Sequence, residues 1–398
     1  MLKLLMKMVS VAFVLLFNSN ITLSQDATEG VVKDVTKDIG DIVSQENTFR
    51  LELVANTGDV PFGMDFLPDG RLLVSSRTKE TINIVDIKSG DVTKLEGFSG
   101  PHYDPKQAGG MLDIYMHPDY AKNGWIYYSY SGAKDEGFVT EVKRSRIKGN
   151  RFVDSELIFQ SSHPTEFQMH HSARLAIKDG YLFIADGDRV KRRDLVMDMT
   201  STLGKIVRLH DDGRVPDDNP FVGTMGHHPA IWTLGHRDPQ GLRFNPFTGD
   251  LWSHEHGPKG GDEINIIRAG RNYGWPVITY GEEYEGGPVG EGLYVKDGME
   301  QPVYMWKPSI APSSMLFYTG DKYKNWHGNL FIGAMAGAHL NRLTLYENRV
   351  IHEERLLADQ GWRVRIVRQG LDGYIYIGID QGSIMRLVQV DAVVATSP

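Results

Sequence analysis

The chain has 398 residues and no cysteine, and its 43 Lys and Arg against 51 Asp and Glu give a formal net charge of −8. This acidic balance offers no electrostatic footprint for nucleic acid, and the lack of cysteine excludes disulfides and cysteine-linked lipoprotein anchors. The 43 glycines, together with 7 Trp, 17 Tyr and 16 Phe, are typical of many short strands joined by tight turns.

Residues 1–24 have the pattern of a secretory signal peptide. Lys3 and Lys7 form a positive amino-terminal region, Met8 to Phe17 form an apolar core, and small polar residues follow. The apolar run is shorter than the roughly 20 residues that span a bilayer, so cleavage near Ser24 is predicted rather than stable membrane insertion. The expected location is therefore periplasmic or secreted, where a protein without disulfides depends on its core for stability.

Residues 25–47 form a charged leader. The apolar residues of this leader fall at helical spacing, at Val32, Val35, Ile39, Ile42 and Val43. Either a short amphipathic helix or a solvated linker fits this pattern. At the other end of the chain, residues 391–398 are expected to form a short tail.

Between residues 48 and 390 the pattern changes to short alternating apolar runs separated by tight-turn residues. A strand-turn-strand phrase occurs in six copies, which begin at Met64, Ile114, Leu175, Leu242, Ser314 and Val367. A spacing of roughly 45–80 residues is typical of four-stranded blades with insertions. The sequence therefore predicts an all-β, six-bladed β-propeller of four-stranded antiparallel blades, with Phe49 to Ala55 closing the ring. A two-domain β-sandwich protein is the alternative.

The stretch from Ile231 to Pro276 contains more polar and turn-forming residues than a core needs, as expected of loops that build a site. Four of its segments are GHRDPQGL at 235–242, HGP at 256–258, GDEIN at 261–265 and NYGWP at 272–276. In this order they resemble the soluble quinoprotein aldose dehydrogenases of the glucose/sorbosone dehydrogenase family. The resemblance extends over about residues 50–388 and implies a six-bladed propeller that uses pyrroloquinoline quinone (PQQ) and calcium.

The resemblance implies that His170 is the catalytic base, because the family has a His followed four residues later by Arg-Leu, here Arg174 and Leu175. This base takes the proton of the anomeric hydroxyl of the sugar. Imidazole, with an ordinary pKa of about 6.5, is largely neutral yet basic near neutral pH. The alternative is an ordinary loop histidine, which is the expectation for His171.

Several residues are implied to contact the quinone. Arg237 matches the Arg that faces the quinone oxygens, where a guanidinium stabilises developing negative charge, unless it simply pairs with Asp238. Arg363 and Arg365 alternate along a strand and so face one side, which suits a tricarboxylate or an exposed basic face. The remaining cofactor-binding candidates are Asp238, Tyr284 and Gln107.

The resemblance also implies two calcium sites. The carbonyls of Gly257 and Pro258 match those that hold the calcium bound to the quinone, since calcium prefers oxygen ligands. Glu263 and Tyr273 match a second, structural site. Without the resemblance, the Gly-Pro pair would be an ordinary turn and Glu263 a surface charge.

Four positions depart from the family. Ala108 stands where the family has Gln, with Gln107 one place early; Asp238 replaces an Asn; Ala336 replaces a cofactor-binding Lys; and Met169 replaces an Asp before the base. A lost Lys and a gained carboxylate both disfavour a polyanionic cofactor. They indicate a looser site, a different acceptor or a propeller without catalysis.

The sequence thus predicts a PQQ-dependent dehydrogenase that oxidises the anomeric carbon of pyranose aldoses to lactones. Its partners would be an aldose and an electron acceptor that the sequence does not specify, and the protein would be a monomer or homodimer. The alternatives are a non-catalytic propeller that binds a ligand or a protein, and a calcium-dependent, lactonase-like hydrolase.

Overall fold

The computed structural model describes residues 39–390, so the predicted signal peptide, the tail and most of the leader lie outside the described residues. This part of the chain forms six antiparallel sheets arranged as blades. The prediction of a six-bladed β-propeller is confirmed. Within residues 39–390, no helix has the length and apolar character needed to cross a membrane.

The strands follow one another in blade order. Before the first blade are β1 (Ile42–Val43) and β2 (Thr48–Asn56). The first blade comprises β3 (Pro61–Phe66), β4 (Leu72–Ser76), β5 (Thr81–Val85) and β6 (Val92–Lys94). A hairpin of β7 (Tyr103–Asp104) and β8 (Ala108–Gly109) leads to the second blade, which comprises β9 (Met111–Met116), the helix α1 (Tyr120–Asn123), β10 (Ile126–Lys134), β11 (Gly137–Lys148) and β12 (Arg151–Gln160).

The other four blades repeat this plan. The third comprises β13 (Ser172–Lys178), β14 (Tyr181–Asp186), the helix α2 (Arg193–Val196), β15 (Lys205–His210) and β16 (Ile231–Leu234). The fourth comprises β17 (Pro239–Phe244), β18 (Leu251–Glu255), β19 (Asp262–Ile267) and β20 (Tyr304–Trp306). The fifth comprises β21 (Pro312–Phe317), β22 (Leu330–Ala334), β23 (His339–Tyr346) and β24 (Arg349–Leu356), and the sixth contains β25 (Val364–Gln369), β26 (Ile375–Ile379) and β27 (Ser383–Gln389).

The ring closes by pairing the two ends of the propeller. Strand β2 pairs with β27 in the sixth sheet, with Leu51 opposite Leu387 and Leu53 opposite Met385. The strand predicted between Phe49 and Ala55 is confirmed in this role. Strand β1 adds a fifth strand to the same sheet, so the end of the leader is extended rather than helical.

Apolar packing between neighbouring blades holds the ring together. The short inner strands β4 and β26 are buried along their whole length, because a sheet covers each of their faces. Phe66 of the first blade and Tyr376 of the sixth meet edge to face, with ring centroids 5.0 Å apart, a favourable geometry for aromatic pairs.

The start of each innermost strand is irregular. In all six blades, the pairing of the innermost strand with its neighbour shifts register near the strand's beginning. Such irregularities bend a strand and redirect its side chains. The residues at or beside these starts include Phe62, Leu112, Ser172, Gln240 and Arg365, and all five line one cavity.

Candidate active site

The cavity at the beginnings of the innermost strands has a volume of about 250 Å³. Its walls combine apolar groups with ionisable ones: Phe62, Arg77, Ala108, Gly109, Leu112, Gln168, Met169, His170, His171, Ser172, Asp238, Gln240, His256, Tyr284, Met335 and Arg365. A concave site of this size with a few convergent polar groups is the usual setting for a small ligand.

His170 is oriented by a buried carboxylate. Its Nδ1 lies 2.8 Å from Asp188 Oδ1, and Asp188 is fully buried. Asp188 also accepts hydrogen bonds from Trp275 Nε1 at 2.8 Å and from the Val190 amide at 2.7 Å. Burial alone would raise the pKa of Asp188, but the charges of His170 and Arg237 lower it below its ordinary value. An ionised Asp188 keeps the proton on Nδ1 and leaves the His170 Nε2 lone pair free.

The backbone of His170 is fixed as well. Its φ of 51° is in the left-handed region, which a non-glycine residue rarely adopts. The buried Arg189 donates from Nη1 to the His170 carbonyl at 2.9 Å and from Nη2 to Asp186 Oδ1 at 2.6 Å. A Cβ at Gly187 would come within 2.2 Å of the same carbonyl. His170 is therefore held at two points: its ring by Asp188 and its backbone carbonyl by Arg189.

His171 has a different environment. It is buried, and its Nδ1 lies 3.0 Å from Thr140 Oγ1. Burial lowers its pKa well below the ordinary value, and the nearby Arg189 adds to this shift. The structure thus gives His170, and not His171, the carboxylate partner that a catalytic base needs.

Asp238 lies between two histidines. Its Oδ1 accepts hydrogen bonds from Ser172 Oγ and Gln240 Nε2, both at 2.9 Å. Its Oδ2 lies 3.9 Å from His170 Nε2 and 3.5 Å from His256 Nδ1. Burial opposes ionisation, but electrostatic interactions with His170, His256 and Arg237 lower the pKa of Asp238 to about 2. The cavity therefore carries a negative charge beside the candidate base.

Arg237 bonds to backbone carbonyls rather than to Asp238. Its Nη1 donates to the His256 carbonyl at 3.0 Å and to the Gly257 carbonyl at 3.2 Å. Its backbone amide donates to Glu255 Oε2 at 2.6 Å. The alternative in which Asp238 holds the guanidinium by a direct ion pair does not occur in this structure.

Arg363 and Arg365 bind one carboxylate. Arg363 Nε donates to Asp380 at 2.8 Å, and Arg365 makes two bonds to Asp380, at 2.7 and 2.9 Å. Both side chains thus reach the same side, but only Arg365 lines the cavity. Arg363 also donates to the Met335 carbonyl at 3.2 Å, and its side chain is 43% exposed.

Gln107 and Tyr284 lie at the edges of the site. Gln107 Oε1 accepts a hydrogen bond from the backbone N–H of Gln168 at 3.0 Å. This bond joins the β7–β8 hairpin to the segment before His170. Ala108, rather than Gln107, contributes to the cavity wall, and Tyr284 lines it while remaining 54% exposed. Met335 also lines the cavity, whereas its neighbour Ala336 is exposed.

The Gly257-Pro258 turn presents carbonyls that are already hydrogen-bonded. Gly257 O accepts from Arg237, and Pro258 O accepts the Glu282 amide at 3.0 Å. Each carbonyl has a second lone pair, so both could still ligate a cation. Within residues 39–390, no group of three or more His, Asp or Glu side chains is arranged to hold a metal ion, so such a cation would depend largely on backbone oxygens.

A smaller space of about 10 Å³ adjoins Arg237 and is lined by Glu255, Glu263 and Tyr273, among others. Burial raises the pKa of Glu263 to about 8, and the neighbouring Glu255 contributes to the shift. The Tyr273 hydroxyl donates to the Ile266 carbonyl at 2.6 Å, which leaves its backbone carbonyl as the oxygen it could offer. Two carboxylates around a space of this size fit a single hard cation.

Asp188, Arg189 and Arg77 belong to the site but were not predicted from the sequence. The first two belong to the segment Asp186-Gly187-Asp188-Arg189 at the end of β14. The two carboxylates of Asp186 and Asp188 at a strand end could have indicated a functional site. Arg77 follows β4 directly and carried no motif.

Comparisons with known proteins agree on one family. Residues 58–386 match the family described as Glucose / Sorbosone dehydrogenase. The aldose sugar dehydrogenase YliI of Escherichia coli K12 is 38% identical over 342 residues, which cover 84% of this chain and 91% of that protein.

Two solved structures extend the likeness to the fold. The apo-form of the soluble aldose sugar dehydrogenase from Escherichia coli superposes with a TM-score of 0.80 at 36% identity, covering 86% of this chain and 99% of that one. The PQQ-bound aldose sugar dehydrogenase from Streptomyces coelicolor gives a TM-score of 0.69 at 26% identity, covering 86% and 98%.

Proposed function

This chain belongs to the glucose/sorbosone dehydrogenase family, and on that basis we propose that it is a quinoprotein oxidoreductase that oxidises the anomeric carbon of pyranose aldoses to lactones with PQQ. The observation that carries this proposal is His170, whose Nδ1 is held by the buried Asp188 while its ring borders the cavity. When bound, the quinone would supply a two-electron acceptor for the hydride that leaves the anomeric carbon.

In this proposal His170 Nε2 takes the proton of the anomeric hydroxyl. Asp188 stays ionised and stabilises the imidazolium through its 2.8 Å contact with Nδ1, as an orienting carboxylate does in other His-dependent enzymes. The left-handed backbone of His170, held by Arg189, fixes the point from which the side chain projects. Preorganisation of this kind lowers the reorganisation needed at the moment of reaction.

The quinone would be held by Arg237, Arg365 and Tyr284. Gln107 and Arg363 would act indirectly, because Gln107 ties a hairpin to the segment before His170 and Arg363 shares Asp380 with Arg365. Calcium on the Gly257 and Pro258 carbonyls would offset the charge of a polycarboxylate. A second calcium would lie between Glu255 and Glu263 beside Tyr273.

The activity is tested by reconstitution. Chelator-treated protein is given PQQ with and without calcium, and reduction of an artificial dye is followed with a panel of aldoses. We expect aldose-dependent reduction only when both are present. Failure to bind PQQ in calcium would favour the non-catalytic propeller, and hydrolysis of lactones without PQQ would favour the hydrolase. Quinone affinity that is unchanged without calcium would contradict the calcium bridge.

Calcium should stabilise the fold through Glu263. At a calcium concentration of 100 times Kd, binding to the native state alone contributes about 2.7 kcal/mol, measured as a rise in Tm by calorimetry. The Glu263→Gln variant should lose most of this rise, because a neutral amide is a weaker calcium ligand than a carboxylate. Glu282→Gln, on the exposed adjoining loop, is the matched control and should retain it. An equal rise in both variants would contradict the site.

Asp238→Asn should tighten quinone binding, because it removes a carboxylate from a cavity that must accept a polyanion. Two unit charges about 4 Å apart interact by roughly 4 kcal/mol at an effective dielectric of 20, an upper value that neighbouring cations reduce. Kd measured at fixed calcium should therefore fall at least about tenfold. Asp69→Asn, in the exposed turn after β3, should leave Kd unchanged. Weaker binding in Asp238→Asn would mean that the carboxylate organises the site.

Export to the periplasm or secretion remains our proposal from residues 1–24. Its support is the basic and apolar pattern of that segment. An aldose as the substrate and a separate electron acceptor as the partner follow from the proposed activity.

A further inference from the structure

Arg77 is a cavity-lining guanidinium without a carboxylate partner among residues 39–390. Its Nε donates to the Gly109 carbonyl at 3.0 Å, and both Nη atoms lack an acceptor within the described part of the chain. The guanidinium lies over the Phe62 ring, 5.1 Å from its centroid. Burial and the nearby charge of Arg365 lower the pKa of Arg77 to about 10, so the side chain remains cationic at neutral pH.

The other guanidiniums around the cavity are already bonded. Arg365 forms two bonds with Asp380, and Arg237 donates to two backbone carbonyls. The buried Arg174 donates to the Phe62 and Ser313 carbonyls at 2.8 Å each. Of the two guanidiniums that line the cavity, Arg77 is therefore the one that has, among residues 39–390, no carboxylate partner and no acceptor at either Nη.

We propose that Arg77 binds a carboxylate inside the cavity and that this carboxylate belongs to the quinone cofactor. The inference rests on the proposed function and adds to it an anchoring residue. A guanidinium fork matches a carboxylate with two parallel hydrogen bonds. A partly desolvated guanidinium without a directly paired carboxylate is unfavourable, so an anionic ligand that pairs with Arg77 gains binding free energy.

The position of Arg77 is fixed before any ligand arrives. The Arg77 carbonyl accepts the Met111 amide at 3.2 Å, and a Cβ at Gly110 would come within 2.3 Å of that carbonyl. Together with the Gly109 bond and the Phe62 ring, these contacts hold the fork beside Arg365. Little side-chain entropy then remains to be lost on binding.

The test measures quinone affinity directly by equilibrium dialysis in calcium, without sugar. Arg77→Gln should weaken binding about 10- to 100-fold, the range of a lost charge-assisted hydrogen bond, with an intermediate loss in Arg77→Lys. Lys79→Gln removes an exposed charge two residues away and should change nothing. The uncharged trimethyl ester of the quinone should bind wild type and Arg77→Gln alike. If Arg77→Gln does not fold, as judged by circular dichroism, Arg77→Lys carries the comparison.

The results separate the possible sources of the carboxylate. The Arg77→Gln substitution could instead raise KM for glucuronate relative to wild type while leaving KM for glucose and the quinone Kd unchanged. That result would overturn the cofactor assignment in favour of an acidic sugar. An unchanged Kd and unchanged KM values would overturn the proposal entirely.

If wild type fails to bind quinone, the proposed function is wrong, and isophthalate then serves as the probe. Thermal stabilisation of wild type but not Arg77→Gln by isophthalate would support the carboxylate site. Equal behaviour of the two proteins would overturn it.

Discussion

The His170→Gln variant should lose about 10²- to 10⁴-fold in kcat, the range for a removed general base, while its quinone Kd stays unchanged. The reason is geometric: His170 lines the cavity and its Nδ1 lies 2.8 Å from Asp188 Oδ1, whereas His256 Nδ1 is 3.5 Å from Asp238 and its Nε2 is bonded to the Pro312 carbonyl. Gln can occupy the same space but cannot take a proton from the anomeric hydroxyl. Dye reduction under saturating aldose measures kcat, and equilibrium dialysis measures Kd.

His171→Gln is the control for this experiment. His171 is buried against Thr140, so its replacement should affect stability more than kcat. If His171→Gln were the variant with the large loss in kcat, the base would be the neighbouring residue and the assignment to His170 would be wrong by one position.

Asp188→Asn should produce a comparable loss, about 10²- to 10⁴-fold in kcat, because the corresponding substitution in a Ser-His-Asp triad costs about 10⁴. The side-chain amide of Asn at position 188 can donate to His170 Nδ1. This favours the tautomer with the proton on Nε2, and Nε2 then has no lone pair with which to act as a base. The acid limb of the kcat/KM profile should also move to lower pH, since the carboxylate that favours the protonated imidazole is gone.

The pH profile distinguishes this role from a structural one. Asp194→Asn, on the exposed face of α2, is the matched control and should leave both kcat and the profile unchanged. A loss of kcat in Asp188→Asn with an unmoved acid limb would mean that Asp188 only supports the loop through its bonds to Trp275 and Val190.

The blades and the position of the candidate base could be predicted because they depend on local patterns. Each repeat is one strand-turn-strand unit, and turn residues with alternating apolar runs mark it without knowledge of its neighbours. His170 could be singled out because the resembled family has a His followed four residues later by Arg-Leu, here Arg174 and Leu175. Closure by β2 was also visible, since a strand was left over once six units had been assigned.

The partners of these residues depend on how the ring brings distant segments together. Asp188 and Trp275 belong to different blades and meet only in the folded ring. The sequence showed that Ala336 stands where the resembled family has a cofactor-binding Lys. It did not show that Arg77, from another blade, lines the same cavity as the neighbouring Met335. Gln107 was predicted to bind the cofactor, but its side chain joins a hairpin to Gln168. Pair contacts of this kind have no sequence signal in a single chain.

The pairing of β2 with β27 also constrains when the protein can fold. Leu53 and Met385 are partners across this seam, so the sixth sheet cannot be completed until β27 has been synthesised. The first five blades can form in succession from local pairings, but the loop closed by the last step is very long, and closure over such distances is entropically slow. Until then the edge of β2 that pairs with β27 stays exposed to other chains. We therefore expect fragments that end before β27 to lack the native resistance to proteases.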